Sequence, residues 1–151
     1  MISKNKLIRV LNVTTVFKAA GIESFIMNMY RNIDRDKVQF DFLVMRDEKE
    51  YYDEEIEKLG GKKYTFQENS SNVVLKILKE SKKLYFFLKE HPYDIIHIHY
   101  TTPLRAFYAL AAKLARTKVI IYHSHSAEVS GKSKGKLLIY NYYKKRISKW
   151  A

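Results

Sequence analysis

The chain predicts an α/β protein: a doubly wound, Rossmann-like domain on a parallel sheet. Three observations lead there. Short apolar, β-branched runs alternate with longer segments whose apolar residues recur every three or four positions. Glycine, proline or small polar residues punctuate nearly every change, and the connections are short. Strands alternating with helices imply right-handed crossovers, and these generate a parallel sheet with helices on both faces.

The elements follow in order. Residues 7–13 are an apolar run that reads as the first strand, followed by the small-residue loop Ala19, Ala20, Gly21. From Gly21 the spacing of Ile22, Phe25, Ile26, Met29 and Tyr30 predicts an amphipathic helix that stops near Asn32, Ile33 and Asp34. Residues 38–44 begin in alternation and finish apolar, as a strand entering a sheet would. Residues 51–59 form a short acidic helix stopped by Gly60 and Gly61, which can take the left-handed conformation of a helix C-terminus. Residues 62–66 read as a third strand.

Residues 72–89 carry Val73, Val74, Ile77, Leu78, Leu84, Tyr85 and Leu88 on one helical stripe, ended by His91 and Pro92. Residues 94–99 are the fourth strand, 104–114 a helix and 118–122 a fifth strand. After the flexible Ser/Gly/Lys stretch 130–135, Leu137, Ile139, Tyr140, Tyr143 and Ile147 predict a last helix over 137–150. A helix of this kind normally returns to the sheet, so stopping at Ala151 suggests a truncated frame or an excised domain.

A length of 151 residues suits one domain with one substantial core. The absence of cysteine excludes a disulfide framework and a zinc-thiolate site, and makes a reducing cytoplasm the simpler location. No apolar run approaches the roughly 18 residues that span a bilayer. Lys4, Lys6 and Arg9 ahead of an apolar stretch imitate a signal peptide, but Asn12, Thr14 and Thr15 interrupt it and fit a strand better. The net charge of +12 attracts anions such as phosphorylated substrates or acidic lipid. Nucleic acid is not expected, because no helix-turn-helix, RNA-recognition or zinc-finger signature is present.

In open parallel sheets ligands bind beyond the carboxyl ends of the strands. Three informative segments fall there: Ala19 to Gly21 after the first strand, His99 to Thr102 after the fourth, and His123 to Ser126 after the fifth. A small-residue loop opening a helix lets backbone approach a ligand closely, and the helix N-terminus favours a phosphate or carboxylate. The three spaced glycines of a dinucleotide-binding loop are missing, which argues against a nicotinamide dehydrogenase.

His97 and His99 alternate on one strand and share a face; His123 and His125 do likewise, so four imidazoles could converge. Histidines without a carboxylate are an incomplete set for most hydrolytic metals, and no metal is expected. His97 reads as a hydrogen-bonded core histidine. His99 and His125, nearer their strand ends, read as donors to a sugar hydroxyl or to developing negative charge.

The run from Ala20 to Asn28, with Gly21, Ile22, Glu23 and Ser24 at its head, resembles the Gly-Gly-x-Glu opening of glycosyltransferase family 4, in bacterial capsule and exopolysaccharide enzymes. Asn32-Ile33-Asp34, Phe40-Asp41-Phe42, Leu59-Gly60-Gly61, the Asp94 to His99 run and His123-Ser124-His125-Ser126 are similar too, so the likeness covers nearly the whole chain. Ala20 departs from the pattern, standing where the family usually has its first glycine, and a methyl group there could crowd a bound diphosphate.

The resemblance implies that residues 1–151 are the N-terminal, acceptor-side half of a two-domain GT-B enzyme. Such an enzyme transfers sugar from a nucleotide-sugar donor to a sugar or lipid-linked acceptor, with retention and without metal or other cofactor. It also implies a catalytic role for His125 and binding roles for Ala20, Gly21, His99, Thr101 and Ser126. The donor-binding C-terminal domain is absent from this chain, so the fragment alone is expected to be nearly inactive unless a separate half completes it. Lysines among apolar and aromatic residues over 132–150 predict contact with an anionic membrane surface at the inner face of the cell membrane. Two other readings stand beside this one: a non-catalytic module that binds acceptor, membrane or a partner subunit, and an unrelated nucleotide-binding enzyme.

Overall fold

The computed structural model describes residues 6–15, 17, 21–46, 48–100 and 103–123. Among the described residues five strands, β1 (Ile8–Thr14), β2 (Val38–Val44), β3 (Lys63–Thr65), β4 (Ile95–His99) and β5 (Val119–His123), alternate with four α-helices, α1 (Gly21–Asn32), α2 (Asp53–Lys58), α3 (Val73–Glu90) and α4 (Ala106–Leu114). All strand pairs are parallel, in the order β3-β2-β1-β4-β5. The expected helix and strand sequence is borne out, with boundaries shifted by a residue or two. The predicted last helix lies outside the described residues.

The alternating side chains of β1 divide the core in two. Val10 faces the cluster formed with Ile26, Met27 and Tyr30 of α1 and Ile56 of α2. Leu11 and Val13 face Ile77, Leu84 and Leu88 of α3 together with Tyr108 and Ala109 of α4. Helices therefore cover both faces, as a parallel sheet requires. Ala106, Ala109 and Ala112 are fully buried on α4, and their small side chains bring that helix close to its neighbours. Of the apolar stripe predicted on α3, only Ile77, Leu84 and Leu88 enter the core; Val73, Val74 and Leu78 are exposed. Three- and four-residue spacing marks a helix, but it cannot distinguish a buried face from an exposed apolar shoulder.

Caps end the helices where the sequence expects. The Asn72 side chain accepts hydrogen bonds from the amides of Val74 and Leu75 at 3.0 and 3.2 Å, closing the N-terminus of α3. Asp53, Glu54 and Glu55 occupy the first turn of α2, where the helix dipole favours negative charge. Gly60 follows α2 at φ +85°, and the Gly61 amide reaches back to the Ile56 carbonyl at 2.9 Å, the pattern of a glycine-terminated helix. Gly61 is needed for a different reason: a Cβ there would lie 2.7 Å from the Phe40 carbonyl oxygen and 2.8 Å from the Tyr30 hydroxyl.

Charged groups tie the strands together. Asp94, just ahead of β4, accepts from the Arg9 amide at 3.2 Å, from Lys6 at 3.0 Å and from Lys118 at 3.2 Å. Lys6 first, then the Arg9 amide, hold its carboxyl down at about 2. Asp41, buried on β2, accepts from the Arg9 guanidinium at 2.8 Å, the Tyr93 hydroxyl at 2.7 Å and the Lys62 amide at 2.8 Å. Between α3 and α4, buried Glu80 accepts from Arg105 at 3.0 Å and from the Tyr108 hydroxyl.

Gly61→Ala should lower unfolding free energy by about 1–3 kcal/mol, because backbone carbonyl and a buried hydroxyl both resist the added methyl. Gly60→Ala should cost about 1 kcal/mol through its left-handed backbone alone. Urea unfolding of the two variants measures this, and a Gly61→Ala midpoint equal to that of the parent would contradict the packing described.

Candidate active site

The winding reverses at β1. From β1 the chain passes through α1 to β2 and through α2 to β3, then α3 carries it back across to β4 on the other side of β1. The connections after β1 and β4 therefore diverge, and a crevice opens at the carboxyl ends of these two strands, where such sheets bind ligands. Gly21 at the start of α1 and His99 at the end of β4 both stand at this crevice.

Strand register decides which side chains meet. Asn12 of β1 lies beside His97, and His99 lies beside His123. Alternation then puts Asn12, His97, His99 and His123 on the α1 side of the sheet. The His99 Nε2 and the Asn12 Oδ1 are 3.3 Å apart, and both residues are buried. In the tautomer that carries its proton on Nε2, His99 donates to the Asn12 Oδ1. The Asn12 Nδ2 is buried with no hydrogen-bond partner among the described residues. An unpaired buried donor costs about 1–3 kcal/mol, and one kept at a ligand-binding crevice is a candidate contact for substrate.

The ring of His97 packs 3.8 Å from that of His99 and 5.5 Å from that of His123, and Phe25 of α1 meets His123 edge-on at 6.0 Å. On the opposite face Tyr100 is buried, with the Arg105 guanidinium 4.4 Å above its ring. Burial pushes the Tyr100 hydroxyl up to about 12, so it is neutral and acts by position. The Tyr100 amide donates to the His123 carbonyl at 3.2 Å, which holds the ends of β4 and β5 together.

Two carboxylates approach the opening of α1. Glu23 in the first turn and Glu50 after β2 are both buried. Burial raises both, and each feels like-charge neighbours: Glu50 acts on Glu23, and Asp53 and Glu48 act on Glu50. The Phe17 amide and Lys63 partly offset the rise at Glu50.

Of the sequence-predicted site residues, Gly21 and His99 are described. A Cβ built on Gly21 would meet nothing within 4 Å, so neighbouring atoms do not demand glycine there. Ala20, Thr101, His125 and Ser126 lie outside the described residues. His97 is half-buried and packs within the imidazole group. Sequence reasoning missed Asn12 as a site residue. Its signal was present, a lone amide in an apolar strand, but it served only to argue against a leader peptide.

Residues 19–151 match the family profile described as Glycosyltransferase Family 4. The chain belongs to glycosyltransferase family 4. Over 119 residues it is 38% identical to a Bacillus subtilis (strain 168) protein named "Putative glycosyltransferase EpsF", an alignment that covers 78% of this chain and 30% of that protein. The crystal structure of a glycosyltransferase from Rickettsia africae ESF-5 superposes with a TM-score of 0.66 at 18% identity, over 95% of this chain and 35% of that one. The chain thus spans about a third of the length of these relatives. The structural likeness supports the Rossmann-like fold, and the family profile with the Bacillus subtilis relative identifies a family 4 glycosyltransferase domain.

Proposed function

We propose that this domain is the N-terminal, acceptor-side half of a retaining glycosyltransferase. It works with a donor-binding domain to move sugar from a nucleotide-sugar to a hydroxyl acceptor in cell-surface polysaccharide synthesis. The observation that carries the reading is the buried Asn12–His99 pair at the β1/β4 crevice, facing the opening of α1 in a family 4 chain. Gly21 lets backbone come close to the transferred sugar and the donor diphosphate. Asn12 and His99 hold the acceptor or the sugar by hydrogen bonds, and the family resemblance adds His125 as the catalytic residue and Ala20, Thr101 and Ser126 as substrate-binding residues. No metal is required for the transfer. Donor phosphates would be held chiefly by the second domain, so groups from both sides of the cleft stabilise the transition state.

The test joins this chain to the C-terminal domain of a family 4 enzyme and measures transfer from a panel of nucleotide-sugars. The chain alone should give no measurable turnover, and the joined protein should be active. His99→Ala and His125→Ala in the active form should each lower kcat/KM at least about tenfold, the scale of one transition-state hydrogen bond. Robust turnover by the chain alone, or unchanged turnover in both variants, would refute the assignment.

Peripheral contact with an anionic membrane belongs to the same reading, since lipid-linked acceptors reside there. The basic segment 132–150 lies outside the described residues, but α3 offers a surface of the required chemistry. Val73, Val74, Leu75 and Phe86 are exposed on a helix that also carries exposed Lys79, Lys82, Lys83 and Lys89. Beside them an open groove of about 300 Å³, lined by Tyr85, Phe86, Phe107, Leu110 and Leu114, lies between α3 and α4. No helix among the described residues is long and apolar enough to cross a membrane. Lysines near an acidic lipid surface contribute about 1 kcal/mol each, and exposed apolar side chains insert at the headgroup boundary. Co-sedimentation with phosphatidylglycerol liposomes should be salt-sensitive and should weaken in Phe86→Ser and in Lys82→Gln/Lys89→Gln. Equal binding to neutral liposomes, or no effect of either variant, contradicts it.

A further inference from the structure

We propose that Phe25 is the platform on which the acceptor stacks a pyranose ring, an assignment that rests on the acceptor-side reading above and names what this wall of the crevice receives. Phe25 is 44% exposed and belongs to neither buried apolar cluster. A single exposed apolar side chain is ordinary on a protein surface. Two observations set this one apart.

The first is its place on α1. Side chains on a helix lean toward its N-terminus and residues four apart share a face, so the Phe25 ring lies over the turn that Gly21 opens. Among the described residues a Cβ on Gly21 would meet nothing within 4 Å. The open space at Gly21 and the exposed ring of Phe25 therefore adjoin, at the carboxyl end of β1. The second is its neighbour. The His123 ring lies 6.0 Å from Phe25, at 88° to it, and 5.7 Å from His99. An edge-on contact occupies at most one face of the phenyl ring and leaves the other to a ligand. Phe25 thus stands at the rim of the crevice, with the buried Asn12 and His99 deeper within it.

A pyranose ring suits such a wall because it is amphipathic. Its hydroxyls lie round the edge, while its faces carry axial C–H groups polarised by the neighbouring oxygens. The face of an aromatic ring is negative and attracts those C–H groups, and the apolar area they share is removed from water. The hydroxyl edge is then directed inward, to the amide and imidazole. A phosphate gains nothing from a neutral phenyl face, so the platform selects a sugar ring and not charge.

The test is an NMR titration of the full isotopically labelled chain with methyl pyranosides of the gluco, galacto and manno series, and separately with uridine diphosphate. At least one pyranoside should bind saturably at the crevice, with its ring C–H protons shifted upfield by the phenyl ring current. Phe25→Leu keeps apolar bulk without the ring; it should abolish the upfield shift and weaken binding at least about fivefold. Phe25→Tyr keeps the ring and should retain the shift and the affinity within about twofold. Phe25 lies outside the core, and circular dichroism checks that both variants fold as the parent does. Undiminished pyranoside affinity in Phe25→Leu, with shifts still at Asn12 and His99, overturns the platform and leaves the acceptor-side reading standing. Absence of saturable pyranoside binding overturns both. Equal loss in Phe25→Tyr, or loss in Phe25→Leu confined to uridine diphosphate, also overturns the platform.

Discussion

β1 is paired on both edges and covered on both faces, and the rest of the molecule is arranged around that constraint. Its neighbours are β2 on one side and β4 on the other, in register over most of its length. A strand so enclosed should be wholly apolar, and Val10, Leu11 and Val13 comply. Asn12 does not. Its amide is buried with only its oxygen engaged, a cost of about 1–3 kcal/mol that the fold carries at the one place where the winding reverses and a crevice must open.

The two ends of the sheet divide the work. Ahead of β4, Asp94 joins the starts of β1 and β5 through the Arg9 amide, Lys6 and Lys118. Its depressed carboxyl contributes stability that is present above the ordinary aspartate range and is lost as pH falls toward about 2. At the opposite end the polar groups are less well matched. Glu23 and Glu50 are raised by burial, so they favour the neutral form and oppose folding as pH rises through their folded values. Strain of this kind is expected where a surface is shaped for a ligand rather than for itself.

Much of this was legible in the residues, because the periods of strand and helix differ and because Gly60-Gly61 and His91-Pro92 act through local backbone chemistry. The boundaries of β2 and α1 follow directly from their patterns. What was not legible depends on contacts between distant segments. The exposure of Val73, Val74 and Leu78 is decided by where α3 lies on the sheet. Gly61 is constrained by Phe40 and Tyr30, far from it in sequence, as well as by its turn. The likeness of Asp94 to His99 to family 4 pointed to His99, but only the register of β1 against β4 brings Asn12 to it, and only β5 brings His123.

We propose that the β1/β4 crevice, built on Asn12 and His99, receives the sugar substrates. Amide chemical-shift mapping of the isotopically labelled chain during titration with nucleotide-sugars and oligosaccharide acceptors tests it most directly. The account predicts that the perturbed amides cluster at Asn12, Gly21 and His99 and that the shifts diminish in Asn12→Ala. Perturbations confined to the Asp94 end of the sheet, or to the outer surface of α3 and α4, would contradict it.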